Sequence, residues 1–363
     1  MNNAGDESKN KFLTGLYGGE PYVSGEQPAG SVIKLNTNEN PYPPAPEVLR
    51  ALSEFDGKRL RLYPKQDGGL LRKVIADALR VSVDNVFVGN GSDEVLALAF
   101  RACFGFGADR PVLFADVTYS FYPVWCDFFK IPYKTIPVAA DLRTKAEDYA
   151  VLNGGIVICD PNAPTGIAEG GAFLDRIIEM NDGQSVIIVD EAYGDFSDHS
   201  AVSRTKRTPN LLVTRSFSKG RSLAGQRIGY AVGDKKLIDA LMAAKDSFNS
   251  YPIDMVTEKV GVASLGNIIY YLDTIRRIKA TRESTSVRLR ELGFDVPESS
   301  ANFVFAGCGS AARAKAIFEF LREGGIYVRY FDKPGINDRL RISIGTDAEM
   351  NTFFERLEAY LAL

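Results

Sequence analysis

From about residue 84 the chain alternates short, continuous apolar runs with longer stretches of mixed polarity. The runs cover 85–88, 111–115, 155–159, 185–189, 211–214 and 228–232. They do not alternate apolar with polar, so they predict strands buried on both faces, as in a parallel sheet whose connections are helices. The stretches 94–104 and 119–129 predict two of those helices, the second despite Pro123. Beyond about 252 the texture changes. A long helical region over 253–291 leads to a strand at 302–306, a helix at 310–322, strands near 326–329 and 339–344, and a closing helix at 347–361. Upstream, residues 1–30 are polar, glycine-rich and dotted with aromatics, and the proline run of 41–46 cannot lie inside a helix. A helix is expected over 47–56. The fold class is therefore α/β. An N-terminal arm (1–45) precedes a large domain (46–252) with a mostly parallel central sheet and helices on both faces. A smaller C-terminal α+β domain (253–363) follows, with the arm packing near it and a ligand cleft between the domains.

Composition narrows the function classes. A net charge of −3 leaves no basic field for nucleic acid or an anionic membrane. No run of about 18 apolar residues occurs, so no spanning helix is expected, and the polar start lacks the apolar segment of a secretion signal. Cys103, Cys126, Cys159 and Cys308 form no C-x-x-C pair and read as reduced, buried thiols of a cytoplasmic protein. His199 is the single histidine and lies in a polar loop, so no metal site built on histidines is expected.

Four polar clusters follow predicted strands, where ligands gather in a parallel sheet. Gly89-Asn90-Gly91-Ser92-Asp93 opens a helix whose N–H groups suit a phosphate, though Ser92 could simply cap it. Asn162, in a proline-stiffened turn, could bond a ring oxygen. Asp190, heading Asp190-Glu191-Ala192-Tyr193, could pair with a protonated pyridine nitrogen. Lys219, after Ser216-Phe217-Ser218, could form an imine with an aldehyde. Each taken alone reads as readily as a turn, a solvated strand end or a solvated lysine. Their conjunction does not: Asn162, Asp190 and Lys219 follow three consecutive buried runs, 28 and 29 residues apart, and can converge at one sheet edge. Arg227 adds a phosphate clamp. The set points to pyridoxal 5′-phosphate. No G-x-G-x-x-G follows the early strands, which argues against a nucleotide-binding dehydrogenase. No residues are spare for the DNA-binding domain of a regulator.

On these residues the chain resembles the fold-type I aminotransferases dependent on pyridoxal phosphate, and within them the histidinol-phosphate aminotransferase family. The resemblance runs over about 12–360. It is carried by Leu35-Asn36-Thr37-Asn38-Glu39-Asn40-Pro41, Arg61-Leu62-Tyr63-Pro64, the four clusters above, Leu223 to Gly229, and Leu340-Arg341-Ile342-Ser343-Ile344-Gly345. It implies that Lys219 holds the cofactor as a Schiff base and shuttles a proton. It further implies that Asp190 pairs with the pyridinium nitrogen, that Tyr193 and Asn162 bond the ring oxygen, and that Tyr119 stacks on the ring. Ser92, Asp93 (through its backbone), Ser216, Ser218 and Arg227 surround the phosphate. Tyr63 resembles a tyrosine lent by the partner subunit, implying a homodimer with shared sites. Arg341 and Arg329 are the candidates for substrate phosphate or carboxylate, with Tyr22 and Asn36 on the substrate side. The implied reaction is amino transfer from L-histidinol phosphate to 2-oxoglutarate in histidine biosynthesis. An aromatic aminotransferase or a threonine-phosphate decarboxylase of the same fold is the alternative. The segment 245–253 departs from the family pattern and bears on side-chain specificity.

Overall fold

A computed structural model describes residues 18–105 and 107–363; the first 17 residues of the expected arm lie outside the described residues. After strand β1 (Ile33–Lys34) and helices α1 (Pro46–Ser53) and α2 (Gly69–Leu79), the chain enters its main sheet. Strand β2 (Val86–Asn90) runs directly into α3 (Gly91–Cys103). Then come β3 (Val112–Ala115), α4 (Phe121–Phe129), β4 (Tyr133–Ile136), β5 (Gly155–Cys159), α5 (Gly171–Asn181), β6 (Ile187–Glu191), β7 (Leu211–Ser216) and β8 (Ile228–Gly233). Pro123 is the third residue of α4, where its missing N–H has no partner to lose, so the helix tolerates it.

The seven strands lie in the order β2-β8-β7-β6-β5-β3-β4. All neighbouring pairs are parallel except those made by β8, which runs against both β7 and β2. Successive side chains of a strand face opposite sides. Ile187 and Val189 accordingly enter one core with Val86, Ile156 and Val213, while Ile188 enters another with Phe87, Val157 and Leu212. Both faces are therefore apolar, and the strands carry no polar alternation. The adjacent ends of β5, β6 and β7 bring Cys159, Asp190 and Thr214 level with one another.

Helices α6 (Lys235–Asp246) and α7 (Met255–Gly266) follow, then the long α8 (Ile268–Glu291). Although α7 lies beyond residue 252, its Val260 packs in the first core, as does Tyr271 of α8; further along α8, Ile278 and Leu289 join a third core. That third core fills the remainder of the fold: β9 (Phe303–Gly307), α9 (Ala311–Glu323), β10 (Ile326–Tyr327), β11 (Arg329–Tyr330), β12 (Arg339–Ser343) and α10 (Asp347–Leu361). Strands β11, β12 and β9 form an antiparallel sheet, and β10 pairs in parallel with β1. Thr346 and Glu349 close α10 with a reciprocal capping box. No helix among the described residues is long and apolar enough to cross a membrane.

Candidate active site

The sheet edge where β5, β6 and β7 end opens into a cavity that the β11-β12-β9 sheet closes from the other side. Asp190, the penultimate residue of β6, is about 2% exposed. Its Oδ2 accepts from the Tyr122 hydroxyl (2.8 Å), and its Oδ1 from the Ala192 N–H (3.1 Å) and the Thr214 hydroxyl (3.4 Å). Burial pushes its carboxyl up to about 6, against the pull of these donors. No cation pairs with it among the described residues. A buried carboxylate in that condition is stabilised by a proton or by a cation brought against it.

Lys219 lies three residues past β7, on the same wall. Its Nζ donates to the Thr37 carbonyl (3.0 Å), and its own carbonyl accepts from the Asn40 amide (3.0 Å). Burial pushes the amine down to about 8; Arg341 adds to the effect, and Glu39 opposes it. Tyr193 faces Lys219, whose Nζ is 5.8 Å from the ring centroid. The Tyr193 hydroxyl accepts from the Asn38 amide at 2.9 Å, and burial raises it to about 12.

At the far end α3 presents its N-terminus. Ser92, Asp93, Ser216, Ser218 and Arg227 all line the cavity there. Gly91 has φ +79, and a Cβ on it would come 2.4 Å from Arg227 Nη2; a Cβ on Gly229 would come 2.3 Å from the Gly91 carbonyl carbon. Only bare backbone lets β2, β8 and Arg227 approach this closely. The Asp93 carboxylate is turned to Arg227 (3.1 Å) and to the Tyr119 hydroxyl (2.8 Å), which leaves the helix N-terminus and the serine hydroxyls to an anion.

Another stretch of the cavity wall comes from the arm, β11 and β12. Tyr22 stacks on Phe121 (4.2 Å between centroids) and lies 6.1 Å from Tyr119. Arg341 donates to the Asn36 carbonyl (2.8 Å) between the rings of Phe303 and Phe331, and its buried Nε has no partner among the described residues. Arg329 lines the cavity too, but its two Nη groups donate to the carbonyls of Ser24 (3.1 Å) and Val23 (3.0 Å), so it holds the arm down.

Three expected positions fall elsewhere. Asn162 does not line this cavity: its amide donates to the Val117 carbonyl (2.9 Å) and Thr165 (3.1 Å), and its Oδ1 accepts from Thr118 (2.8 Å). The neighbouring Ala163 faces the cavity instead. The proline turn presents Ala163 and Pro164 to the cavity, while the Asn162 amide points to the loop before Tyr119. Asn36 is also off the wall; its amide donates to the Glu26 carbonyl (2.7 Å). Tyr63 is 81% exposed and stacks on Tyr251 (4.8 Å), away from the cavity. Conversely, Asn38, Tyr122 and Thr214 serve the site without having been singled out. Asn38 stood in a quoted motif among three similar asparagines, and Tyr122 stood three residues from Tyr119.

The match to the aminotransferase class I and II family spans residues 30–357. A histidinol-phosphate aminotransferase of Chromohalobacter salexigens is 49% identical over 93% of this chain and 95% of its own, and one of Lactococcus lactis subsp. cremoris is 44% identical over 95% and 96%. The chain belongs to the histidinol-phosphate aminotransferase family. Among solved structures of that name, the Sinorhizobium meliloti protein in complex with pyridoxal-5′-phosphate shares 25% identity, with a TM-score of 0.80 over 90% of this chain and 91% of that one. The Clostridium acetobutylicum protein, at 21% identity, has the same fold (TM-score 0.82; 91% and 99% covered). The cavity's donor set combines an anion cradle at α3, a buried carboxylate, and a half-buried amine beside a tyrosine hydroxyl, which fits a phosphate-bearing pyridine aldehyde.

Proposed function

We propose that this chain transfers the amino group of L-histidinol phosphate to 2-oxoglutarate, giving imidazole-acetol phosphate and L-glutamate, a step of histidine biosynthesis, with pyridoxal 5′-phosphate as cofactor. The observation that carries the reading is the buried Asp190, with no cation paired to it among the described residues, sharing one cavity with the half-buried Lys219. The identity to curated relatives supports the substrate. When bound, pyridoxal 5′-phosphate supplies an aldehyde carbon for the amine and a ring that takes up the electron pair released at Cα.

The residues then divide the work. Ser92, Ser216, Ser218, Arg227 and the α3 N-terminus hold the phosphate. Asp190 would hold a proton on the ring nitrogen, and the Tyr193 hydroxyl would be available to the ring oxygen. Tyr119, itself steadied by Asp93, would cover the ring face. Lys219, its amine pushed down to about 8, is free to take the proton from Cα. Arg341 offers its unpartnered Nε to the anionic end of the substrate, with Tyr22 above it. Arg329 fixes the arm that carries Tyr22.

We extend the reading to a homodimer. Leu60, Leu62, Tyr63, Leu70 and Phe248 leave large apolar groups exposed, and a second copy covering them would bring Tyr63 toward its partner's phosphate cradle. The four free cysteines support a reducing, cytoplasmic setting.

The test is a comparison of amino donors. Holoenzyme is given 2-oxoglutarate with L-histidinol phosphate, phenylalanine, tyrosine or threonine phosphate, and glutamate and CO2 are measured. Histidinol phosphate is expected to have the highest kcat/KM, with no CO2 released. A higher kcat/KM for an aromatic amino acid, or CO2 from threonine phosphate, would overturn the assignment.

A further inference from the structure

Tyr119 lies two residues before α4, and Tyr122 is the second residue of that helix. Tyr119 lines the cavity; Tyr122 lies behind it, fully buried, the two rings edge to face at 5.7 Å. The Tyr122 ring packs among Phe100, Phe114 and Trp125. A phenylalanine would fill that space equally well, so packing does not account for the hydroxyl. That hydroxyl instead donates to Asp190 Oδ2 at 2.8 Å, shorter than the Ala192 N–H and Thr214 contacts on Oδ1.

We propose that Tyr122 is a positioning residue for Asp190: its hydroxyl sets the direction of the carboxylate and keeps it able to hold a cation in the cavity. This rests on Asp190 being the partner of the cofactor's ring nitrogen. A carboxylate among apolar strands has two ways to relieve its burial, by turning away or by taking up a proton. The contact from α4 opposes both. The titratable and polar groups facing Asp190 are Tyr122 from α4, Cys159 from β5, Thr214 from β7, Asp93 from α3, and Tyr193 from the loop after β6. Of these, Tyr122 and Thr214 donate hydrogen bonds to it. Burial holds the Tyr122 phenol well above its ordinary range, so the proton stays on the tyrosine and the carboxylate remains the acceptor.

The test needs no substrate. Apo-protein carrying Tyr122→Phe is titrated with pyridoxal 5′-phosphate across the acid range, following the absorbance of the bound cofactor, with far-UV circular dichroism as the check on folding. Loss of a hydrogen bond to a charged group is expected to raise Kd about ten-fold at neutral pH. It is also expected to move the pH at which affinity is lost on acidification upward, because the carboxyl then takes up its proton more readily. In steady state, kcat is expected to fall about ten-fold while KM for the amine changes less than about two-fold. A Kd and a pH profile equal to wild type would overturn the proposal. Should Tyr122→Phe not fold, 3-fluorotyrosine placed at 122 keeps the shape and donates more strongly, and the profile is expected to move to lower pH; an unmoved profile overturns the proposal as well. A wild-type protein that prefers another amine would sink the substrate assignment and leave this titration standing. One that does not bind the cofactor would sink both.

Discussion

Lys219 and Asp190 are shifted by the same burial in opposite directions, the amine down to about 8 and the carboxyl up to about 6. An amine must be neutral to add to an aldehyde. With the pKa lowered, the neutral form dominates above about pH 8 rather than above the ordinary lysine value. The rate at which apo-protein captures pyridoxal 5′-phosphate is therefore expected to rise through about pH 8 and then level off, as measured by stopped-flow absorbance. A rise continuing to pH 10 would show Lys219 to be unshifted. Lys219→Ala is expected to lower kcat by at least ~10²–10⁴-fold, the usual contribution of general acid–base catalysis. Asn162 teaches a different lesson. Its position after a buried strand was legible, but the direction of its amide depends on the fold of a turn and a loop 45 residues apart in sequence. Asn162→Ala is expected to cost about 1–3 kcal/mol of stability by leaving the Val117 carbonyl and Thr118 short of partners. It is expected to raise KM through a loosened Tyr119, without altering the spectrum of the bound cofactor. A spectral shift would return Asn162 to the ring oxygen.

Among the elements, the runs that could be read were those buried on both sides. The run 155–159 and strand β5 coincide, and helix α10 was placed to the residue. Strand β4 went unread because Tyr133, Lys134 and Thr135 are exposed on the sheet's edge, where no apolar run is needed. The direction of β8 was equally invisible, since a strand's side chains are the same whichever way it runs. Yet that reversal is what sets Gly229 against Gly91. A Cβ at Gly229 meets backbone rather than a side chain able to swing aside. Gly229→Ala is expected to destabilise the protein by about 1–3 kcal/mol and to weaken cofactor binding, read by thermal melting and by titration. Gly225→Ala, where a Cβ has open space, is expected to change neither.

At the scale of the whole molecule, the division of labour between two copies can be tested by mixing. Lys219→Ala and Tyr63→Ala proteins are each expected to be poorly active. If Tyr63 serves its partner's cavity, a mixed dimer has one cavity with both residues intact, and co-expression should restore activity; no restoration would place Tyr63's effect within its own chain. The pairing of segments far apart in sequence carries a consequence for synthesis. Strand β1 pairs with β10, and Asn38, which donates to Tyr193, is itself held by Ser343 near the end of the chain. During synthesis, residues 33–38 must therefore wait for residues 326–343 to emerge before the cavity has both its walls. Until then the nascent polypeptide has a lysine but no finished chamber around it, so vitamin capture must follow the emergence of β12, and chains terminated before that strand should leave the cell's pyridoxal phosphate untouched.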